Sequence, residues 1–169
     1  MSSFSGGLQA VGLDLYESST TQVHRIGERV ETSDGRIFRY AKAGASALVA
    51  GNVLQAPAQV TTHKAMTPAA AAIGATQVTA TLGATNAVTE NQYADGYLIV
   101  SITPGNGYAY RISSHPAGAA STAVVFTLAE PLNVALTTSS RVSLQANPYK
   151  GVIQSPVTTL TGAVVGVAV

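Results

Sequence analysis

Between Gly96 and His115 the chain reads GYLIVSITPGNGYAYRISSH, and this stretch limits the fold more than any other. Two runs rich in β-branched and aromatic residues flank Pro104-Gly105-Asn106-Gly107, four residues that favour a tight turn and oppose both helix and extended strand. Leu98, Val100 and Ile102 alternate on one side of it, and Tyr108, Tyr110 and Ile112 on the other. Period-2 alternation around a turn is the pattern of a β-hairpin. Similar short runs recur between Gly, Pro, Asn and Ser clusters, over roughly 53–62, 76–82, 96–103, 108–113, 123–128, 141–146, 151–154 and 163–169. No amphipathic helix longer than about two turns is evident; one turn is expected at Pro68–Ile73, where proline opens an alanine run that Gly74 ends. The expected fold is mostly β: a sandwich or barrel-like body of short antiparallel strands, preceded by an extended N-terminal arm and hairpin.

The charges mark the organisation. Ten of the 17 Asp, Glu, Lys and Arg residues fall in the first 42 positions, and the remaining 127 positions hold seven. This step suggests a boundary near Gly44, separating an arm and hairpin (1–43) from a β-rich body (44–169). Residues 1–20 show no sustained period and begin with Gly and Ser, as suits an extended arm. The hairpin follows, signalled by Asp34-Gly35.

Its register can be argued from the side chains. A two-residue loop pairs Ser33 with Arg36 and mixes charged and apolar residues on both faces. A three-residue loop, Ser33-Asp34-Gly35 with Gly35 left-handed, pairs Thr32 with Arg36. It puts Val30, Phe38 and Tyr40 on one face, and Arg29, Glu31 and Arg39, with Ile37, on the other. The second register sorts the faces better and is expected.

A charged fraction of 10 % is well below the quarter or so usual for a free domain, which suggests that neighbours cover much of the surface. Nine basic residues against eight acids lack the clustered positive charge that phosphate recognition needs, so no nucleic-acid partner is expected. No apolar run reaches the roughly 20 residues of a membrane span, and the start lacks the basic and apolar regions of a signal peptide. No membrane partner is expected either. With no cysteine there is no disulfide or thiolate–metal framework.

Catalytic patterns are wanting. His24, His63 and His115 are far apart in sequence and form no ligand-spaced pair, so they are expected to be surface or interface residues rather than metal ligands. In the body a carboxylate pair would have to come from Glu90, Asp95 and Glu130, and Asp95 before Gly96 suits a turn. There is no Gly-x-Ser-x-Gly, and the Pro104–Gly107 loop lacks the lysine of a phosphate loop. The expectation is no enzyme, no cofactor and no metal. Tyr93, Tyr97, Tyr108 and Tyr110 cluster around one hairpin, where packing or protein contact is a simpler reading than a sugar platform.

The succession Asp34-Gly35-Arg36-Ile37-Phe38-Arg39-Tyr40-Ala41 with Gly44, then Leu48-Val49-Ala50-Gly51-Asn52-Val53-Leu54-Gln55, and later Tyr93-Ala94-Asp95-Gly96-Tyr97-Leu98, resembles the head decoration, or cement, proteins of tailed bacteriophages. These are small structural proteins that accompany the major capsid protein. The resemblance implies a virion protein on the outer capsid surface, a monomer or a small oligomer such as a trimer, with the major capsid protein and neighbouring copies of itself as partners. It implies an arm that ties capsid subunits together and stabilises the shell. Phe4, Leu8, Val11, Leu13, Leu15 and Tyr16 would be apolar anchors, Phe38 and Tyr40 would join them from the hairpin, and Arg25, Arg29, Arg36 and Arg39 would meet capsid carboxylates. A tail, baseplate or fibre component touching host glycan has similar composition, and a self-assembling shell protein is a further alternative. Such decoration proteins tend to continue with another β segment, whereas this chain stops in Ala163-Val164-Val165-Gly166-Val167-Ala168-Val169. An apolar terminal strand of this kind should be paired, either in the body or on a neighbour.

Overall fold

The computed structural model describes Leu8–Gln9 and residues 15–169. Its strands are β1 (Leu8–Gln9), β2 (Arg29–Glu31), β3 (Ile37–Arg39), β4 (Lys42–Ala43), β5 (Val53–Gln55), β6 (Gln77–Thr81), β7 (Tyr97–Ile102), β8 (Ala109–Ser114), β9 (Ala123–Leu128), β10 (Arg141–Gln145), β11 (Lys150–Gln154) and β12 (Val164–Val167). A single 3-10 turn, Thr61–His63, is the one helical element among the described residues. The fold is mostly β, as the sequence predicts.

Two compact units share the chain: residues up to Pro57 with Pro148–Val169, and Ala58–Asn147. This division differs from the 1–43 and 44–169 expected from the charge step. The C-terminal strands are the reason: β11 pairs with β4 in parallel and with β5 antiparallel, and β12 pairs antiparallel with β5. Chain ends far apart in sequence thus form one sheet, ordered β12-β5-β11-β4, and the terminal apolar run is paired within the chain. Leu54, Val152 and Ala168 make a small core there, with Leu48 and Val165 against it.

In the same unit β2 and β3 form the Asp-Gly hairpin. Val30 stands opposite Phe38, and Thr32 bonds Arg36 and receives the Gly35 N–H, with Gly35 at φ +83°. This is the three-residue loop expected from the side chains. Strand β1 adds to β2 in parallel.

The unit Ala58–Asn147 is built on an antiparallel sheet, β10-β7-β8-β9-β6. Its two edge strands are bridged by the segment Met66–Ala69. Met66 exchanges both backbone bonds with Val142 of β10, at 2.8 and 2.9 Å, while Ala69 donates to Thr79 at 2.8 Å and Thr81 donates to Thr67 at 3.2 Å. The sheet therefore closes into a barrel with an irregular sixth stave. The helical turn expected at Pro68–Ile73 does not form, since Pro68 bridges Ala80 and Ala71 bridges Leu136. Ladder pairing outweighs the local preference of the alanines.

Alternation fills the barrel: Val78 and Ala80, Leu98 and Val100, Tyr110 and Ile112, Val124, Phe126 and Leu128, and Val142 and Leu144 point inward and are buried. Leu132 and Leu136 complete the core. Each such large apolar side chain contributes about 1.5–3 kcal/mol on burial. The β7–β8 hairpin forms, with Leu98 opposite Tyr110, but its alternation breaks near the turn. Val100 accepts from Gly107 at 2.9 Å and donates to Tyr108 at 2.8 Å, so two residues face one, and Gly107 has φ +91°. Beside this bulge Tyr108 is about two-fifths exposed with its ring stacked on that of Tyr110 at 5.9 Å, and Ile102 is exposed as well. The run expected over 53–62 is shorter, ending before Pro57, which has no N–H to continue a ladder.

Candidate functional site

Arginines and aromatic rings converge in the unit that carries the hairpin. Gly35 reverses the chain and sends Arg36, Phe38 and Arg39 out along β3. The guanidinium of Arg36 lies 5.6 Å from the Phe38 ring centre. It donates to the Tyr16 hydroxyl at 3.3 Å and to the Asp34 carboxylate at 2.7 Å. Tyr16 meets Phe38 edge-on, at 6.3 Å between ring centres. Arg39 lies 5.3 Å over the Tyr149 ring and donates to the Gly27 carbonyl at 2.9 Å. These side chains line an open groove of about 460 Å³, whose other wall includes Leu54, Val165 and Val167.

The electrostatics of this corner are set by close partners. The Thr32 hydroxyl first, then the Arg36 backbone N–H and guanidinium, hold the Asp34 carboxyl below its ordinary range. The Tyr16 hydroxyl and then Asp34 raise Arg36 further still. Both groups are charged at any physiological pH and are solvent-exposed, so the pair orients the loop more than it stabilises the fold.

Tyr16, Arg36, Phe38 and Arg39 are thus brought together out of the residues singled out in the sequence. Tyr40 lies apart from the groove lining: its hydroxyl is 3.3 Å from both Ser19 Oγ and the Val23 N–H, and its ring stands edge-on to His24 at 5.4 Å. It fastens residues 19–24 to the hairpin. Arg29 is occupied by Glu31 at 2.6 Å. Arg25 is exposed, and its side chain makes no hydrogen bond among the described residues. Leu8 lies on β1, opposite Val30. Phe4, Val11 and Leu13 lie outside the described residues. Tyr149, which completes the cluster, went unnoticed in the sequence, because only the pairing of β11 with β4 carries it next to Arg39.

The barrel holds a second polar arrangement that sequence spacing did not reveal. His63 and His115, expected at a surface or interface, are buried at 0 % and 3 % exposure. Both bind Tyr93: the Tyr93 hydroxyl meets His63 Nδ1 at 2.7 Å, and the Tyr93 backbone N–H donates to His115 Nε2 at 2.9 Å. Burial pushes the Tyr93 hydroxyl up to about 12. Chain folding overrides sequence distance here, since the loop before β7 and the end of β8 meet.

Tyr93 and Tyr110 are buried, while Tyr97 and Tyr108 are about two-fifths exposed. Tyr97 is level with Arg111 of β8, and Tyr108, which pairs with Val100, stands three residues before Arg111. That offset is roughly 10 Å, so the four rings do not share one flat platform. Asp95, at φ +66° in the expected turn, bonds Arg111 at 2.6 Å, and Glu90 and Glu130 are exposed. Among the described residues no three His, Asp or Glu side chains converge as metal ligands would, and no helix is long and apolar enough to cross a membrane.

Comparison with known proteins found no matching family model, no similar curated protein and no similar solved structure.

Proposed function

We propose that this chain is a virion structural protein that binds the outside of major capsid protein subunits and stabilises the shell. The observation that carries the reading is the convergence of Tyr16, from the N-terminal arm, with Arg36, Phe38, Arg39 and Tyr149 along one groove. Arginine, tyrosine and tryptophan are enriched among the few residues that carry most of the binding energy in protein interfaces, and the near-neutral contacts around them keep water out. The sparse charge supports the same reading, because a surface that meets neighbours on several sides gains little from ions that would have to shed water.

In this mechanism the N-terminal arm crosses between capsid subunits and the groove anchors its root. Arg29 and Arg36 have acidic partners within the chain, so their charges give register more than affinity. Many weak contacts on one shell add up through multivalency, which is how a small protein could resist pressure from within. Self-association on the shell would place copies side by side, and a trimer would match local threefold axes.

The test is copy number. Quantitative mass spectrometry of purified particles should find this chain in a simple ratio to the major capsid protein. A few copies per particle would move the assignment to a tail, baseplate or fibre component, and absence from particles would end the virion reading. Deleting residues 1–20 should then leave a folded chain that no longer binds; undiminished binding would remove the arm from the mechanism.

A further inference from the structure

The groove beside the hairpin is walled by consecutive residues of two strands. Arg36, Ile37, Phe38 and Arg39 line one side, and Val165, Gly166 and Val167 line the other. Successive side chains of a strand point to opposite faces, so a cavity that touches four in a row runs along the strand's edge and not over either face. All of these residues belong to one compact unit. Among the described residues β3 pairs only with β2 and β12 only with β5, which leaves both strands at the rim of their sheets.

Backbone alternation shows which groups are open. The Thr32 N–H donates to the Arg36 carbonyl at 3.0 Å and the Tyr40 N–H to the Glu28 carbonyl at 3.0 Å, with Phe38 opposite Val30 between them. Bonded pairs in an antiparallel ladder fall on every second residue. Arg36, Phe38 and Tyr40 therefore turn toward β2, whereas Ile37 and Arg39 turn their N–H and C=O groups outward, where no backbone group of the described residues meets them. The two arginines of this edge differ in charge balance. Arg36 is paired with Asp34 at 2.7 Å. Arg39 is held by the Gly27 carbonyl at 2.9 Å and the Tyr149 ring at 5.3 Å, and it forms no ion pair among the described residues. No Asp or Glu among the described residues lines the groove. A guanidinium oriented by a carbonyl and a ring keeps its full charge to offer.

We propose that the edge of β3 is a docking rail for an extended acidic segment of a partner protein, which adds to the hairpin sheet as a further strand. Main-chain bonds to Ile37 and Arg39 give the pairing, and the side chains give the choice of partner. A carboxylate opposite Arg39 finds a guanidinium without an acid, and an apolar residue two positions away meets Ile37, which is 56 % exposed. A second copy of this chain fits worse, because pairing β3 with β3 would bring two more arginines to the same seam. Strand β12 is the poorer rail, since its register with β5 shifts between Val164 and Gly166 and a bulge opposes regular pairing; it serves as the apolar far wall. The inference rests on the groove being the contact surface of the proposed function, and it adds the chemistry and the binding mode of the segment that enters.

Two capped peptides, Val-Thr-Glu-Thr-Val-Thr and its twin with lysine in place of glutamate, test this against the full chain by NMR. Valine two residues to either side of the charge serves both strand directions. The glutamate peptide should bind about tenfold more tightly, because the twin replaces attraction to Arg39 by repulsion. Exchange of the Ile37 and Arg39 amides should slow in the complex, whereas that of Phe38, already turned toward β2, should change little. In Arg39→Gln the preference should fall to about twofold or less, and Arg39→Lys should restore most of it. Equal binding of the two peptides, no binding by either at millimolar concentration, a preference that survives Arg39→Gln, or binding that leaves the Ile37 and Arg39 amides unprotected overturns the proposal. Copy number on particles is read separately. A chain present on particles whose β3 edge ignores the peptides ends this inference alone, and one that pairs with the peptides but is missing from particles ends the capsid reading alone.

Discussion

Pro68 faces Ala80 across the seam of the barrel at a position where neither residue is asked for a backbone hydrogen bond. The bonds run on either side, from Ala69 to Thr79 and from Thr81 to Thr67. In an antiparallel pair such positions alternate with bonded ones, so a proline can stand in the ladder without removing a donor. Seam closure follows, and with it the burial of Met66 and Pro68.

The seam makes a positional prediction. Ala69→Pro deletes the donor to Thr79 and should lower stability by about 1–3 kcal/mol, whereas Pro68→Ala should cost less than about 1 kcal/mol. Urea unfolding of the two variants checks this, and equal losses would mean that the seam does not close the barrel.

Phe126 is fully buried among the barrel strands. Phe126→Ala should destabilise by about 3–5 kcal/mol through lost apolar contact and the cavity left behind. Because the chain comprises two units, the loss should be read from a probe inside the barrel, such as exchange of the β8 and β9 amides. A loss under about 1 kcal/mol would contradict the packing described.

At Tyr93 the alkaline limb is informative. An ordinary tyrosine ionises near 10, and burial pushes this one up to about 12. Between those values the unfolded chain has lost the proton and the folded chain has kept it. Stability from this group is therefore full below about pH 10 and falls as pH climbs toward 12. Tyr93→Phe loses the bond to His63, costing about 1–2 kcal/mol at pH 8, but escapes the alkaline loss. Unfolding measured at pH 8, 10 and 11 should show the gap between the two proteins narrowing; a constant gap would contradict the assignment.

Arg36 separates stability from binding. Its ion pair with Asp34 is hydrated, with side chains 59 % and 53 % exposed. Arg36→Ala should therefore change the melting behaviour little, yet weaken attachment to particles stripped of this chain. Full binding by the double variant Tyr16→Ala/Arg36→Ala would remove the groove from the interface.

Gly35 tests the hairpin. At φ +83° with open space around it, Gly35→Val meets no clash but must hold a β-branched residue in a left-handed turn, at a cost of about 1–2 kcal/mol. Exchange of the Thr32 and Gly35 amides should rise in that variant while the barrel amides are unaffected.

Much was legible from local chemistry. Turn residues and period-2 alternation located β6 to β10 within a residue or two, and the contrast of charged and apolar faces chose the Thr32–Arg36 register over its rival. Those signals are short-range: a left-handed glycine or an alternating face acts over a few neighbours and is written in consecutive residues. Four of the residues singled out for binding, Tyr16, Arg36, Phe38 and Arg39, meet for the same reason, because three of them lie on or beside one strand. The tertiary structure alone decided the rest. Strand β5 could accept β11 and β12, rather than a neighbour in sequence, only once the chain had returned from the barrel. The alanines after Pro68 left their helical preference when two open ladder edges offered pairing. His63 and His115 became one network through Tyr93 because their loops share an end of the barrel. Local sequence determines which segments extend and where they turn; which edges meet is settled by the free energy of closing the sheet over its core, a sum over the whole chain.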